Sequence, residues 1–479
     1  MVRVYLDWNI FSYLKNFKTN KEPYITLNQN ILKHKESLLV PYTSAHLTDL
    51  ITSYKQSEKG KEKTLADLKY LEELTNNLCI IYDYKEQKTY PDKYNIMDYF
   101  EQLLDSDALT TGSFEDLFSS LKGTEFDGLI NSYLSLLRVL PVGIDRNVFK
   151  NTHSKYQLFE DSFQQTAMNS SYYNLLSETF NLLSKYNTNP KTYRSIRNFS
   201  LEELKLSRDY SRSENPIEDI SKNLETSALK KSFKEFAAEN LKNYLKDKEP
   251  SRFEIFTNHY ILLDFLGYYR DSHFKNLLQD AFHAYYGAHC DFFVTDDDNT
   301  YHKAKVIYDH FNIETVVCKS HEFNIQLYGK IVLNTLSDKP LFEIISEILN
   351  SSFVIANQHD DKFNPVDIYK IDHFAIEYFN RLQVTHNIDR SSVIHLYKNN
   401  KNYSSFYFFK EIEMVTNKII KQLGVDQYNR FEYKPEIENN ELNKNKWQGR
   451  TWQIENALVE LRMVEDPFGL TLTVNLEKK

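Results

Sequence analysis

A strand–helix alternation at both ends of a long helical block predicts an α/β protein split by an all-helical insertion, with a separate α+β region behind it. Three observations carry that class. Short apolar runs with strand patterning occur in the first 85 residues and again after residue 272, and almost every pattern between them has helical spacing. The length, 479 residues, exceeds what one core usually serves, so two or three domains are expected.

The first strand is VRVYL, with Val2, Val4 and Leu6 on one side. It runs into Asp7, and Asn9 is placed to cap a helix over IFSYLKN. A second apolar run, SLLVPY, ends at Pro41 and Tyr42 and leads to TSAHLTDLITSYK, which reads as helix with Thr43 or Ser44 at its N-cap. A lysine- and glutamate-rich helix follows, and then LCIIYDY reads as a strand. From residue 86 to 270 the texture is helical: NIMDYFEQLL, SFEDLFSSLK, FDGLINSYLSLLRVL and YYNLLSETFNLLSKY all repeat apolar residues at helical spacing. The alternation resumes with SHFKNLLQDAFHAYYGAHC as helix, DFFVT as strand, NTYHKAKVIYDHF as helix and ETVVC as strand. Residues 1–85 and 271–329 are therefore two halves of one α/β domain, around an insertion over 86–270. In residues 330–479, PLFEIISEIL and FKEIEMVTNKIIKQL have helical patterns, and SSVIHLYK, NALVELRMVED and LTLTVNLEK have strand patterns. The last two are expected to form a hairpin across PFG.

Composition narrows the function. The 41% hydrophobic and 26% charged content is ordinary for a globular chain. Eleven glycines fall well below the roughly 33 that an average usage of about 7% gives. Neither GxGxxG nor GxxxxGK occurs, which argues against a Gly-rich phosphate loop. The 34 Tyr and 32 Phe, beside much Asn, Lys and Ile, fit an AT-rich coding bias. With a net charge of −9, any nucleic-acid partner needs a local basic surface. Cys79, Cys290 and Cys318 are isolated, so neither a disulfide framework nor a cysteine-rich zinc site is expected. Asp7 interrupts any signal peptide and no long uncharged run is present, so a cytoplasmic chain without a membrane partner is expected.

The candidate site comes from the acids. In a parallel sheet ligands bind at the carboxyl ends of the strands. Asp7 ends the first strand, Asp49 lies in the first two turns of the helix after SLLVPY, and Asp296, Asp297 and Asp298 follow DFFVT. Asp280 belongs to a helix that starts near the same edge. It borders the small-residue stripe of Leu277, Ala281, Ala284 and Ala288, about 70° from its centre. Four carboxylates in one small volume repel one another unless a divalent cation offsets them, and all-oxygen ligands suit Mg²⁺ or Mn²⁺. Such an ion activates water and stabilises charge on a phosphodiester.

These residues resemble the PIN-domain nucleases. The family's strand-end Asp, often followed by x-Asn, is matched by YLDWN and Asp7. Its second acid, early in the helix after the second strand, is matched by Asp49 in SAHLTDL. The D-x-x-x-A helix is matched by Asp280 in LLQDAFHA, and the T-x-D motif by Asp297 in FVTDD, with Asp298 as reserve. The resemblance covers roughly residues 1–85 and 270–330. It departs from the family at Asp49, where Glu is commoner, and in the long insertion, which a minimal PIN domain lacks. It implies a PIN-like parallel-sheet sandwich and a Mg²⁺- or Mn²⁺-dependent nuclease with Asp7, Asp49, Asp280, Asp297 and Asp298 as ligand candidates. RNA as substrate, a toxin or phage-defence role, and restraint by a protein inhibitor or a homo-oligomer follow from it too.

Competing readings stand beside this one. Asp7 caps a helix in the plainer reading, an acid early in a helix such as Asp49 is favoured by the dipole, and part of the 296–298 run is solvated loop charge. His46 and His283 lie three residues from candidate acids, where they orient a carboxylate, touch phosphate, or simply pack. HDDKFNPVDIYKIDH (359–373) fits no metal spacing and reads as a polar loop before a strand. In the insertion, Lys191, Arg194 and Arg197 flank Tyr193, a pattern for phosphate contact and base stacking. Lys230, Lys231, Lys234 and Lys242 follow, though such runs are usually solvated helix faces. Two other functions compete: a catalytically idle PIN-fold scaffold that binds a protein or RNA, and a haloacid-dehalogenase-type phosphatase. The latter wants an acid where Asn9 stands and leaves Asp280 without a role.

Overall fold

A computed structural model describes residues 1–15, 22–107, 128, 201–202, 206, 210–245, 249–271, 274–327, 339–351, 354–360, 364–387, 391–399, 403–464 and 469–476. The predicted helices SFEDLFSSLK, FDGLINSYLSLLRVL (Gly128 apart) and YYNLLSETFNLLSKY, and the cluster of Lys191, Arg194 and Arg197, lie outside the described residues.

Along the chain the elements are β1 (Val2–Leu6), α1 (Trp8–Lys15), α2 (Tyr24–Lys33), β2 (Leu38–Leu39), α3 (Ser44–Gln56), α4 (Glu58–Thr75), β3 (Leu78–Asp83), β4 (Lys88–Lys93) and α5 (Ile96–Asp107). Then come α6 (Pro216–Thr226), α7 (Phe233–Leu245), α8 (Arg252–Phe265), α9 (Phe274–Gly287), β5 (Phe292–Val294), α10 (Asp298–His310), β6 (Val316–Cys318) and α11 (Ser320–Leu327). The C-terminal part holds α12 (Leu341–Ser351), β7 (Val354–His359), β8 (Pro365–Ala375), β9 (Phe379–His386), β10 (Ser392–Tyr397), α13 (Phe409–Leu423), α14 (Pro435–Asn443), β11 (Arg450–Ile454), β12 (Ala457–Val464) and β13 (Gly469–Leu476).

The described chain divides into two compact units. One comprises Arg3–Ile25 and Val40–Ser320, the other Met1–Val2, Thr26–Leu39 and His321–Lys479. The chain is mixed α/β, with a four-stranded sheet in the order β2-β1-β5-β6 and a separate antiparallel sheet. β1 and β5 pair in parallel, Leu6 opposite Val294, and β5 and β6 pair in parallel, Val294 opposite Cys318. These strands are short, and Val4, Tyr5, Leu6, Phe292, Phe293 and Val294 are fully buried. Both faces are therefore covered, which is the condition under which parallel strands persist. Helices α8, α9 and α10 pack on one another, and α9 also packs on α3.

Two local expectations change. Helix α1 starts at Trp8, so Asn9 sits inside its first turn and is not its cap; the Asp7 carbonyl accepts from the N–H groups of Ile10 and Phe11. LCIIYDY is a strand, but it pairs antiparallel with β4 in a two-stranded ribbon, touching the earlier run only at a parallel bridge between Tyr42 and Cys79. β4 contains Pro91, which a central strand would not tolerate and an edge of a ribbon does.

The second unit carries the seven-stranded sheet β11-β12-β13-β10-β9-β8-β7. β12 and β13 pair antiparallel from Ala457–Leu476 to Val464–Gly469, so the two strands pair as expected from the sequence. Its core joins Ile344 and Ile348 of α12, Ile412, Val415 and Ile419 of α13, and the inward residues Leu382, Leu396, Val459, Leu461, Leu472 and Val474. Helix α13 stops at Gly424, whose φ of +81° is open to glycine and strained for other residues. His359 ends β7, and among the described residues no metal group is formed there.

Candidate functional site

The site grows from the carboxyl ends of β1 and β5. β1 delivers Asp7, which is buried. Its Oδ1 accepts from the Trp8 N–H at 2.7 Å; its Oδ2 accepts from Asn9 Nδ2 at 2.9 Å and from Thr295 Oγ1 at 2.6 Å. Thr295 follows β5 directly and is fully buried. Its hydroxyl also accepts from the Asp297 N–H at 3.2 Å, so one side chain ties the ends of both strands together.

Asp297 is the N-cap of α10, its Oδ1 accepting from the Thr300 N–H at 2.8 Å. Asp280 lies mid-way along α9 and is partly exposed. Among the described residues no hydrogen bond or ion pair holds its carboxylate, yet the charges of Asp7, Asp297 and Asp271 act on it. Burial first, then Asp271, and further Asp297 and Asp7, push its carboxyl well above the ordinary range, with Lys303 opposing. Burial likewise raises Asp7, aided by Asp49 and Asp297 and opposed by His283 and Thr295.

Asp49 stands in the second turn of α3, which Thr43 caps. Its Oδ2 lies 3.0 Å from His283 Nε2, and the same nitrogen is 3.7 Å from Asp7 Oδ1. His283 is 1% exposed, one turn beyond Asp280 on α9. Its Nδ1 meets the Tyr5 hydroxyl at 2.9 Å. Burial alone would lower this imidazole, but Asp7 and Asp49 outweigh it and hold it above its ordinary value. His46 is fully buried and has no nitrogen left for a phosphate. Its Nδ1 accepts from the Thr43 N–H at 3.0 Å, which leaves Nε2–H to donate to the Leu6 carbonyl at 2.7 Å. Burial, then His283, keep it neutral, well below the ordinary histidine value.

The three consecutive acids separate. Asp296 accepts from the Tyr24 hydroxyl at 2.7 Å and from the Ser320 N–H at 3.0 Å. Asp298 is exposed and pairs with Lys319 at 2.8 Å, which lowers its carboxyl below the ordinary range. Asp7 and Asp49 share His283, the charges of Asp7 and Asp297 act on Asp280, and Asp298 stands apart at Lys319.

A second layer was not anticipated from the sequence. Lys303 of α10 is fully buried between Asp264, at 3.1 Å, and Asp271. Asp264 Oδ2 also accepts from the Asp271 N–H at 2.6 Å, and Asn299 Nδ2 donates to Asp271 Oδ1 at 2.9 Å. Burial would lower the Lys303 ammonium; Asp264, Asp271 and Asp280 together raise it. Both charges had a sequence signal. Asp264 is a lone acid in ILLDFL, and Lys303 lies at i+3 from Thr300 on the stripe that continues to Ala304, Ile307 and Tyr308.

The donor chemistry of Asp7, Asp280 and Asp297, all oxygen and mutually repelling, suits a hard divalent cation, and the Asp280 carboxylate lacks a partner that such an ion would supply. The ligand shell is not closed as it stands: among the described residues no three His, Cys, Asp or Glu side chains are grouped to hold a metal. Among the same residues no helix is long and apolar enough to cross a membrane. The fold and site together define a mixed α/β protein with an acid-lined edge on a short parallel sheet. No known protein family, curated protein or solved structure matches the chain.

Proposed function

We propose that the chain is a metal-dependent nuclease of the PIN type, acting on RNA, with Mg²⁺ or Mn²⁺ held by Asp7, Asp280 and Asp297 and with Asp49 beside them. The observation that supports the reading is the Asp280 carboxylate, which no hydrogen bond or ion pair holds among the described residues and which feels the charges of Asp7 and Asp297 from other segments of the chain. An unneutralised group of this kind is costly to a fold and is retained most readily where a cation is to bind. Once bound, the ion would polarise a phosphate oxygen and lower the pKa of a bound water. The protein's own residues do the positioning. Thr295 fixes Asp7 and Asp297 relative to each other, Asn9 and the Trp8 N–H fix the Asp7 carboxylate plane, and Lys303 supplies a buried positive charge behind Asp280.

RNA as substrate, and a toxin or phage-defence role, extend the family resemblance. The second reading, an idle scaffold binding a protein or RNA, is favoured by the ungrouped acids. One experiment separates them. The purified chain is incubated with mixed RNA and DNA in Mn²⁺ or EDTA, beside an Asp7→Asn/Asp280→Asn variant. Cleavage that needs Mn²⁺ and is lost in the variant supports the nuclease; binding without cleavage in any metal supports the scaffold.

A further inference from the structure

We infer that the outer face of α10 is a platform for a single-stranded nucleic acid, with Tyr301 stacking a base and Lys305 and Lys319 taking the flanking phosphates. This assignment rests on the proposal of a nucleic-acid substrate and adds the surface that holds the strand.

A chain of net charge −9 needs a local basic surface to attract a polyanion. Helix α10 buries one face through Thr300, Lys303, Ala304, Ile307 and Tyr308. Its other stripe carries Asp298, Tyr301, His302 and Lys305, at helical spacings of three and four, and none of them is buried. The half-buried Tyr301 ring gathers two ammonium groups. Lys305 Nζ lies 4.4 Å from its centroid and Lys319 Nζ 4.8 Å. Lys305 also donates to the Tyr301 hydroxyl at 2.6 Å. The rings continue beyond it: Tyr301 meets His302 edge-on at 5.2 Å, and His302 stacks on Tyr269 at 4.0 Å and 14°. Asn299 Nδ2 donates to the Arg270 carbonyl at 3.3 Å and to Asp271 Oδ1 at 2.9 Å, which holds the segment bearing Tyr269 against the first turn of α10. Rings and cations on one surface are the two parts of single-strand recognition. A plain helix-surface pair at i, i+4 accounts for Lys305, but not for Lys319, which comes from beyond β6.

Charge and position both suit a strand. Asp298 pairs with Lys319 at 2.8 Å, so two ammonium groups face one carboxylate and the patch stays positive. The Asp298 side chain is 82% exposed, and an ion pair in that setting is worth little, so a phosphate can take its place on Lys319. The Tyr301 N–H donates to the Asp297 carbonyl at 3.0 Å. The ring therefore lies one turn, about 5.4 Å along the axis, from the residue that brings α10 to the acid edge. A strand stacked on Tyr301 passes beside the carboxyl ends of the sheet.

The test is fluorescence anisotropy of a labelled oligouridylate of about 12 nucleotides, in EDTA so that no metal-dependent step intervenes. Wild type is expected to bind it at low salt, and Tyr301→Ala to bind about 5- to 150-fold more weakly. Tyr301→Phe, which keeps the ring, is expected to bind like wild type and guards against a mere folding defect in Tyr301→Ala. Lys305→Gln/Lys319→Gln is expected to flatten the slope of log affinity against log salt by about 1.4, at about 0.7 per phosphate. An RNA duplex of the same length has its bases paired and is expected to lose nothing in Tyr301→Ala. No binding by wild type, equal binding by wild type and Tyr301→Ala, or competition by oligoglutamate as strong as by RNA overturns the inference. Binding that depends on Tyr301 in a chain that cleaves in no metal upholds the platform and overturns the nuclease. Metal-dependent cleavage with binding indifferent to Tyr301 does the reverse.

Discussion

Lys303 shows most plainly how single residues shape this protein. A fully buried ammonium is tolerated only because Asp264 and Asp271 close on it, and removing one partner of such a group leaves uncompensated charge. Lys303→Met is therefore expected to lower unfolding free energy by about 3–5 kcal/mol, measured by urea denaturation in EDTA. Asp271 gives a pH dependence with a definite sign. Burial first, then Asp264, against Lys303, push its carboxyl from 3.8 up to about 6. The folded chain thus binds this proton more tightly than the unfolded chain, and the group's contribution to stability is lost as pH rises from about 4 through about 6. Lys303 stays charged throughout that window, so it does not reverse the sign. The stability of wild type relative to Asp271→Asn is expected to fall between pH 4 and pH 6.5, as read from paired urea midpoints; a rise over that range contradicts the assignment. The candidate acids Asp7, Asp49, Asp280 and Asp297 were legible as residues, because each ends, caps or lies within an element whose pattern is plain. Their different surroundings were not. Nothing local in SAHLTDL or AFHAYYG says that Asp49 and His283 meet, since 234 positions separate them.

Helix α9 meets strand β5 closely. Its last residue is Gly287, and a Cβ placed there would lie 2.7 Å from Phe293 Cγ of β5. The contact sets how closely α9, and with it Asp280 and His283, approaches the strand ends. Gly287→Ala is expected to cost about 1–3 kcal/mol through overpacking, measured by thermal unfolding. If the proposed metal-dependent reading holds, it is also expected to weaken Mn²⁺ binding, because the shift moves the helix that carries Asp280. Helix and strand positions in the α/β half follow the sequence closely, since periodicity and caps are local properties. The start of α1 did not follow it. Asn9 has a good cap's chemistry, but its amide is used on Asp7 and the helix begins at Trp8, two residues before Ile10. The partner of LCIIYDY was also missed, because strand pairing depends on what lies alongside in space, and KTYPDK carries a proline that argues against a strand.

At the scale of the whole molecule, the chain's order and its compact units do not coincide. Met1–Val2 and Thr26–Leu39 belong with His321–Lys479, while the acid edge lies wholly in the unit of Arg3–Ile25 and Val40–Ser320. A chain cut after Ser320 therefore keeps the candidate site but strands Thr26–Leu39 without the rest of its unit. Such a fragment is expected to be cleaved by protease within Thr26–Leu39 faster than the full chain, followed by mass spectrometry over a time course; equal rates contradict the division. The sequence by itself determined local facts: most of the helices and strands among the described residues of the α/β pattern, and that acids recur at strand ends. These depend on periodicity and neighbouring residues, which a linear reading contains. Tertiary structure alone decided that an imidazole lies close to both Asp7 and Asp49, that Lys303 is buried on Asp264 and Asp271, and that Asp298 turns to Lys319. Charge interaction depends on distance and burial, and both are set only when residues far apart in the chain are packed together.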